Sequence, residues 1–334
     1  MRVKQFHYLI RYLLKLDIYH RILPVFRLSS SQANLNHIGG AMWKSISQVL
    51  AEQFGAYYFI KHKEKLYSGE MNEIWLINDE VQTVFVKINE RSYRSMFRAE
   101  ADQLALLAKT NSINVPLVYG IGNSQGHSFL LLEALNKSKN KQSSFTIFAE
   151  KIAQLHQIQG PDKYGLDFDT WLGPIYQPND WQTSWAKFFS ENRIGWQLQI
   201  CKEKGLIFGN IDLIVQIVAD TLSKHNPKPS ILHGNLWIEN CIQVDDKIFV
   251  CNPACYWGDR ECDIAFSSLF EPFPTNFYQR YNEIYPLEEG YLERKLIYQL
   301  YYLLNFSYRY YNKKQSYVSL TQKLINQILH KIDK

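Results

Sequence analysis

The residues best suited to chemistry are polar side chains that follow two short apolar runs between residues 231 and 263. Ile231-Leu232 leads into His233-Gly234-Asn235, and a second run, 248–251, leads into Asn252-Pro253. Polar clusters at the ends of neighbouring strand-like runs are typical of loops that carry function. A carboxamide accepts and donates hydrogen bonds, but it cannot take up a proton near neutral pH. These residue types would therefore orient a hydroxyl group or offer uncharged oxygen ligands.

The spacing in this stretch matches a phosphotransfer loop, whereas the residue types do not. The pattern H-x-D-x-x-x-x-N places a base ahead of a metal ligand, and a second ligand follows on the next strand. Asn235 and Asn240 keep this spacing, and Asn252 occupies the second ligand position. Both acidic positions of the pattern are therefore asparagine. The stretch predicts the arrangement of a kinase catalytic loop with altered chemistry.

A lysine inside a strand and a glutamate on the next helix form a second candidate group. Lys87 lies in the strand-like run 85–88, and Glu100 lies on the apolar face of a predicted helix, 93–109. A carboxylate on an apolar face needs a partner. The plain alternative is a lysine that faces solvent from an alternating strand. We predict instead that Lys87 pairs with Glu100 and binds the phosphates of ATP.

The segments around these residues predict a small β-rich part followed by a larger helical part. Strands are expected at 56–60, 74–77, 84–88, 115–120 and 128–132. Helices are expected at 43–54, 145–159, 181–205, 210–224, 263–270, 288–313 and 316–332. The chain therefore belongs to the α+β class.

Three further segments are candidates for ligand contact. Gly69 lies in a turn-prone link between strands, which could fold over phosphates or be only a turn. Glu133 ends the last predicted strand of the β-rich part, where a hinge and backbone bonds to an adenine ring are expected. The aromatic, turn-rich segment 164–178 is typical of a substrate-lining loop.

Composition indicates a globular protein of a reducing compartment. The 334 residues are 46% hydrophobic and 21% charged, which is ordinary for a soluble domain. The five cysteines are an odd number and none lies in the first 200 residues, so we expect no disulfide framework and a cytoplasmic location. Cys251, Cys255 and Cys262 cluster without a C-x-x-C pair, which favours buried thiols over a metal site.

Residues 1–41 differ from the rest of the chain. They hold six basic residues and one acidic residue, so they carry the whole net charge of +5, and residues 42–334 are neutral. The neutral body predicts no nucleic-acid partner. The segment has neither a signal-peptide core nor a membrane span. It could be a basic amphipathic surface helix or a disordered extension.

We favour a different explanation, in which residues 1–41 are untranslated sequence upstream of a start at Met42. The codons of residues 38–41 can contain AGGAGG, a ribosome-binding sequence, just ahead of that methionine. Detection by mass spectrometry of a native peptide from residues 8–27 would refute this interpretation.

Residues 232–237 (LHGNLW) and 252–261 (NPACYWGDRE) together resemble the fructosamine kinase, or ketosamine-3-kinase, family, and most closely its bacterial members. Further matching segments are 85–87, 99–101, 153–156 and 165–169. The resemblance extends from Met42 to the end of the chain. It implies a two-lobed protein-kinase-like fold related to aminoglycoside phosphotransferases, with an ATP-binding N-lobe, 42–134, and a mostly helical C-lobe, 135–334.

The family resemblance also implies an activity. Its members transfer the γ-phosphate of ATP to a sugar hydroxyl of a glycated amine, either a small molecule or protein-bound, which leads to deglycation. By motif, Asn240 and Asn252 would occupy the Mg²⁺ positions, and Asn235, beside His233, the position of the base. Lys87 and Glu100 would hold phosphates. Asp259 and Asp263 would support the loops and cap the following helix. No membrane partner is implied, and a monomer is favoured.

The family has aspartate at both 235 and 252, and the two asparagines predict impaired chemistry. Loss of a general base typically costs about 10²- to 10⁴-fold in rate. Magnesium is usually held by one or two carboxylates plus substrate phosphates, so weak Mg²⁺ binding is expected. The substitutions could be natural, engineered or errors, or another acid could rescue the metal. The candidates for that rescue are Glu239, Asp245 and Asp259.

Two rival functions remain open at this point. One is a nucleotide-binding pseudokinase without catalytic activity. The other is a kinase for another small alcohol, such as an aminoglycoside or a choline-like acceptor, and segment 164–178 would decide the acceptor.

Overall fold

The computed structural model describes residues 39–55, 58–68, 72–137 and 145–330. The chain divides into two compact units. The first comprises the described parts of Met1–Leu106 and Val115–Asn140, and the second those of Leu107–Asn114 and Lys141–Lys334. The first is rich in strand and the second is mostly helical, so the predicted α+β class is confirmed.

The first unit contains one five-stranded antiparallel sheet and two helices. The sheet order is β1-β2-β3-β5-β4. The strands are β1 His62–Ser68, β2 Glu73–Asn78, β3 Thr83–Glu90, β4 Val118–Ser124 and β5 His127–Glu133. The helices are α1 Gly40–Phe54 and α2 Arg94–Lys109, and a 3₁₀ turn, Arg91–Tyr93, precedes α2.

The core of the first unit lies between α1 and one face of the sheet. Met42, Ile46 and Leu50 recur every four residues on α1 and are buried. They share a cluster with Val86 and Ile88 of β3. Full burial of such a side chain contributes about 1.5–3 kcal/mol. The predicted helix at 43–54 is therefore confirmed. Of the apolar face expected along it, Ile46 and Leu50 are buried, whereas Phe54 is 40% exposed.

The first strand is not where the sequence analysis placed it. We expected a strand at 56–60, but residues 58–60 are not in a strand and 56–57 lie outside the described residues. The strand is β1, which pairs with β2 alone and is therefore an edge of the sheet. Its sequence, HKEKLYS, is largely exposed and charged. Charged side chains protect an edge strand from pairing with other chains, and they also conceal the hydrophobic pattern of a strand.

The second unit consists of helices and three short strand pairs. The helices are α3 Phe145–His156, α4 Trp185–Lys187, α5 Trp196–Glu203, α6 Ile211–Leu222, α7 Glu261–Ser267, α8 Thr275–Ile284, α9 Tyr291–Tyr310 and α10 Gln315–Leu329. A π-helix, Phe188–Gly195, joins α4 to α5. The strand pairs are β6 Thr170–Leu172 with β7 Ile175–Gln177, β8 Ser230–Ile231 with β11 Trp257–Gly258, and β9 Cys241–Val244 with β10 Lys247–Val250.

The sequence patterns did not reveal helix α8 or the strands β6, β7, β9 and β11 of the second unit. Helix α8 is short, and it lies in a stretch that we left without assignment. Strands β6 and β7 form a hairpin inside the predicted loop 164–178. Each strand has only three residues, so its alternation is too brief to stand out.

Helix α9 is the central element of the second unit and presents tyrosines to the loops of interest. It has 20 residues, and Tyr298, Tyr301 and Tyr302 are fully buried. Tyr302 stacks on Phe266 of α7 with ring centroids 3.7 Å apart. Among the described residues, no helix is both long and apolar enough to cross a membrane.

The cysteines are thiols. Cys255 and Cys262 are fully buried, and burial raises the pKa of both thiols well above its usual value. Such thiols stay protonated and unreactive at neutral pH.

Candidate functional site

Asp263 holds the loop that contains His233 and Gly234. Its Oδ2 accepts from the backbone N–H of His233 at 2.8 Å, and its Oδ1 accepts from that of Gly234 at 2.9 Å. The side chain is fully buried on the first turn of α7. His156 of α3 adds a contact from Nε2 to Oδ2 at 3.2 Å. A buried carboxylate that accepts several hydrogen bonds fixes the backbone it faces, so Asp263 sets the position of this loop.

Gly234 allows two backbone segments to approach closely. Its φ is +73°, and a Cβ there would lie 1.9 Å from the carbonyl oxygen of Ala254. The amide of Ala254 donates to the carbonyl of His233 at 2.9 Å. From the other side, the Tyr302 hydroxyl donates to the carbonyl of Gly234 at 3.0 Å. Only glycine fits this position.

The three asparagines of the predicted motif meet in one hydrogen-bonded group, which we call the amide triangle. Asn235 Nδ2 donates to the carbonyl of Asn252 at 2.8 Å, and Asn240 Nδ2 donates to the carbonyl of Asn235 at 2.8 Å. Asn252 Nδ2 donates to Asn240 Oδ1 at 2.9 Å. Asn252 has a φ of +54°, a left-handed conformation that asparagine tolerates. The spacing read from the sequence therefore corresponds to a real cluster.

The donor set of the amide triangle does not fit Mg²⁺. Magnesium needs near-octahedral oxygen ligands and usually takes one or two carboxylates. Here the ligand positions hold uncharged amides, and the Nδ2 of Asn252 points at Asn240 Oδ1, the oxygen that a cation would need. Three hydrogen bonds hold the triangle together without an ion.

The acids proposed as substitutes differ in their availability. Asp259 is buried, and its Oδ2 is engaged by His225 at 2.7 Å and by Tyr298 at 2.5 Å. Burial alone would raise the pKa of Asp259, but these hydrogen bonds outweigh it and the pKa is lowered. Asp245 is exposed in the turn of the β9–β10 hairpin, at the opposite end from Asn240 and Asn252. Only Glu239, which is exposed next to Asn240, remains a candidate.

Another group of potential metal ligands is already neutralised by an arginine. Ligand atoms of His225, Asp259 and Glu261 lie within 4.8 Å of one another. Arg294 Nε donates to Glu261 Oε2 at 2.8 Å, and its Nη2 donates to Oε1 at 2.9 Å. A bidentate arginine supplies the positive charge that a metal would bring. This group therefore stabilises the loop before α7.

His233, predicted in the catalytic motif, has no exposed surface. Burial lowers its pKa from 6.5 to about 4, although the charge of Asp263 opposes the shift. Its Nδ1 accepts from the backbone N–H of Asn235 at 3.3 Å. His233 is thus a neutral side chain that orients the backbone at Asn235, and it lies out of reach of a substrate.

Lys87 and Glu100 form the ion pair that the sequence predicted within the first unit. Lys87 Nζ lies 2.5 Å from Glu100 Oε1, and the two side chains are 8% and 13% exposed. Val86 and Ile88 point into the core on the opposite face of β3. Lys87 is therefore not the solvent-facing lysine of the plain alternative. A role in phosphate binding stays a prediction.

The structure says less about Gly69 and Glu133, the two remaining residues that we predicted to contact the nucleotide. Gly69 lies outside the described residues. The amide of Glu133 donates to the carbonyl of Leu117 at 2.8 Å, and its Oε2 accepts from the Leu117 amide at 3.1 Å. The N–H of Glu133 is therefore used inside the first unit, and an adenine contact would need its carbonyl or the residues after it.

Gln177 connects the predicted substrate segment to the amide triangle, and sequence reasoning missed it. Its Nε2 donates to Thr170 Oγ1 at 2.7 Å and to the carbonyl of Ala254 at 3.2 Å. Its Oε1 accepts from the Tyr301 hydroxyl at 2.5 Å. The inner face of the β6–β7 hairpin thus contacts the segment that follows Asn252. The Gly-Pro turn at 173–174, between two short aromatic runs, is the signal that could have indicated the hairpin.

Comparison with known sequences gives consistent matches over most of the chain. The fructosamine kinase family model matches residues 42–331. A probable ketoamine kinase from Pasteurella multocida is 64% identical over 289 residues, which cover 86% of this chain and 99% of that protein. One from Vibrio vulnificus is 43% identical over 290 residues, with 86% and 99% covered.

The fold of this chain is similar to the folds of several solved structures. A Thermobifida fusca protein provisionally named fructosamine-3-kinase matches with a TM-score of 0.73 and 24% identity, covering 86% of this chain and 99% of that one. Aminoglycoside phosphotransferase APH(4)-Ia, in a ternary complex with AMP-PNP and hygromycin B, matches with a TM-score of 0.54 and 15% identity, covering 86% and 98%. These similarities confirm the predicted two-lobed protein-kinase-like fold.

Proposed function

Because the chain belongs to the fructosamine kinase family, we propose that it binds ATP and transfers phosphate weakly to a sugar hydroxyl of a glycated amine. The amide triangle is the observation that carries this proposal. It brings Asn235, Asn240 and Asn252 together at the spacing of a phosphotransfer loop, and it lacks both carboxylates of the pattern. This one arrangement supports both the proposed reaction class and the proposed slow transfer.

The proposal assigns roles to Lys87, Glu100 and Asn235. Lys87, oriented by Glu100, binds phosphate oxygens of ATP, because a buried ammonium fixed by a carboxylate is a preorganised anion ligand. The carboxamide of Asn235 orients the acceptor hydroxyl but leaves its proton for water to remove. Phosphoryl transfer proceeds through a loose transition state that demands little activation of the nucleophile, so a slow reaction remains feasible. No step is assigned to a metal ion, since the amide triangle does not fit one.

The test is to restore both carboxylates and measure phosphate transfer. The double variant Asn235→Asp with Asn252→Asp should transfer phosphate from ATP to ribulosyl-lysine at least about 10²-fold faster than the unmodified chain, because it regains a general base. Each single variant should gain less than the pair, since base and metal ligand act together.

The control for this experiment is Asn326→Asp, a change of the same size on the exposed surface of α10. It should leave transfer unchanged. A double variant that stays as slow as this control would reject the roles assigned to Asn235 and Asn252.

A second function is favoured by one feature of the amide triangle. Its three hydrogen bonds join the asparagines to one another and involve no ion, as expected of a protein that binds nucleotide and performs no transfer. In that case, the unmodified chain would show no turnover with any ketosamine, while ATP would still raise its melting temperature. Slow turnover above that of Lys87→Met would instead favour the kinase.

A further inference from the structure

The outer face of the β6–β7 hairpin carries an aromatic pair, in which Tyr176 is exposed and Trp171 is half-buried. Trp171 and Tyr176 lie opposite each other in the register of the two strands. Their ring centroids are 5.3 Å apart with an interplanar angle of 82°. Tyr176 is 39% exposed, while its strand neighbours Ile175 and Gln177 are buried. The hairpin therefore presents one face to the core and an aromatic face to solvent.

A third ring from another element joins this pair. Trp196 of α5 lies with its ring centroid 6.1 Å from that of Tyr176. Its indole N–H donates to the carbonyl of Tyr176 at 2.7 Å, which fixes the ring in place. The pair of Trp171 and Tyr176 already provides the cross-strand contact that stabilises a hairpin. The Trp196 ring, which is fixed by its hydrogen bond, extends this pair to a surface of three rings.

Carboxylates border these rings. The Tyr176 hydroxyl donates to Asp169 Oδ2, and Asp169 Oδ1 accepts from the backbone N–H of Asn179 at 2.7 Å. The bond to Asp169, with smaller contributions from burial and the charge of Asp180, raises the pKa of Tyr176 to about 12. None of the ion pairs between described residues includes Asp169 or Asp180. Asp169 therefore places at the edge of the Tyr176 ring a carboxylate that forms no ion pair with another described residue.

A neighbouring group shows the same chemistry with a cation supplied by the chain. Lys163 Nζ lies 4.5 Å above the ring centroid of Trp181, and the Trp181 indole N–H donates to Asp167 at 3.0 Å. An aromatic face with a carboxylate at its edge binds an ammonium there. Within the described chain, no lysine or arginine lies over Trp171, Tyr176 or Trp196.

We propose that Trp171, Tyr176 and Trp196, with Asp169 at their edge, form an aromatic subsite for an alkylammonium group. Aromatic faces attract such cations, and several rings around one ammonium are a recurrent recognition device. The occupant is the amine-bearing part of the glycated acceptor, an identification that rests on the proposed function. The hairpin that carries the subsite also contacts, through Gln177, the carbonyl of Ala254 in the segment that follows Asn252.

The test is a titration of the full chain with matched ligands, followed by tryptophan fluorescence. The probes are Nα-acetyl-lysine methylamide, its ribulosyl derivative, and acetyl-norleucine methylamide, which lacks the ammonium. Both amines should bind, and the neutral analogue should not. Loss of one ring or of the carboxylate, in Trp171→Leu or Asp169→Asn, should weaken amine binding about 3- to 10-fold.

Two variants show whether a loss of amine binding has a cause other than loss of folding. In Asp169→Asn, the remaining oxygen can accept from the backbone N–H of Asn179, and the new Nδ2 can donate to the Tyr176 hydroxyl, so both contacts of the loop can be kept. Trp181→Leu removes a tryptophan whose ring face is already covered by Lys163, and it should leave amine binding unchanged. Equal binding of the neutral analogue, equal affinity in all variants, or no amine binding by a chain that binds ATP would each overturn the subsite.

Failure of the subsite can be separated from failure of the proposed function. If the double variant Asn235→Asp with Asn252→Asp phosphorylates ribulosyl-lysine and adding Trp171→Leu leaves KM unchanged, the subsite is rejected and the kinase function stands. If this double variant shows no transfer while Trp171→Leu still weakens amine binding, the function is rejected and the subsite stands.

Discussion

A carboxamide and a carboxylate have nearly the same shape, so asparagine at 235 and 252 can preserve two loops while removing their charge. The loops are held by backbone contacts to Asp263, Tyr302 and Ala254, which do not depend on those side chains. A change in chemistry without a change in fold is the expected consequence.

Lys87 and Glu100 offer a test of a buried charge pair. Lys87→Ala leaves the Glu100 carboxylate, whose side chain is 13% exposed, without its cation. Removal of one partner of a buried pair costs about 3 kcal/mol in the free energy of unfolding. Urea denaturation measures this loss. The matched control is Lys61→Ala, which breaks a pair with Glu80 that is 49% and 60% exposed and should cost under about 1 kcal/mol. Equal losses in the two variants would contradict the burial argument.

His233 predicts a pH dependence of stability. Its pKa is about 4 in the folded chain, mainly because of burial, against a usual 6.5. The unfolded chain therefore takes up a proton first as the pH falls. The contribution of neutral His233 to the free energy of unfolding is complete above pH 6.5. It decreases as the pH falls toward 4, by about 3 kcal/mol in total.

Urea unfolding at several pH values measures this effect in the unmodified chain and in His233→Gln. The variant should lose part of the slope between pH 6.5 and 4. His62→Gln, at an exposed position of β1, should keep it. An unchanged slope in His233→Gln would show that other groups cause the acid sensitivity.

At the scale of elements, the candidate site depends on strands of two residues. Strand β8 leads into the loop with Gly234, and it pairs through Ile231 with Trp257 of β11, the strand that follows the loop with Asn252. Helices α7 and α9 hold the first of these loops through Asp263 and Tyr302. The short strands contribute register, and the helices contribute the fixed contacts.

Gly234 gives a steric prediction for these elements. Gly234→Ala would place a Cβ 1.9 Å from the carbonyl oxygen of Ala254, so the two loops must separate. We expect a loss of over about 3 kcal/mol in the free energy of unfolding and faster hydrogen exchange at residues 233–235.

The control is Gly126→Ala in the β4–β5 turn. Its φ of +80° is similar, but a Cβ there meets nothing within 4 Å. This control isolates the cost of the left-handed conformation, about 1–2 kcal/mol. Similar losses at the two glycines would mean that backbone strain, and not the approach to Ala254, decides the result.

At the scale of the whole molecule, ATP binding should not depend on a divalent cation. The amide triangle contributes no charge for Mg²⁺, and in the proposed function the phosphates are bound by Lys87. ATP at about 100 times its Kd should add about 2.7 kcal/mol to the free energy of unfolding, with or without Mg²⁺. Thermal shift with ATP, in EDTA or in Mg²⁺, measures this.

Two variants make the measurement specific. Asn252→Asp should make the ATP shift larger in Mg²⁺ than in EDTA, because it restores a carboxylate ligand. Lys87→Met should reduce the ATP shift in both conditions. A strong Mg²⁺ requirement in the unmodified chain would point to another metal ligand, and Glu239 would be the first to substitute.

The sequence alone determined the features that depend on local pattern. Apolar spacing predicted α1 and its buried face, and a carboxylate on the apolar face of α2 predicted the partner of Lys87. Motif spacing predicted that Asn235, Asn240 and Asn252 belong together. Helical periodicity, strand alternation and motif spacing depend only on residues close together in the sequence, so they can be recognised without a structure.

Only the tertiary structure decided which polar groups contact one another over long distances. Burial of His233 depends on packing around Asp263, thirty residues further on, and Gln177 reaches Ala254 across 77 residues. The three-ring face of Trp171, Tyr176 and Trp196 likewise needs a hairpin and a helix to meet. Such contacts arise from the packing of whole elements, and no local pattern of residues encodes them.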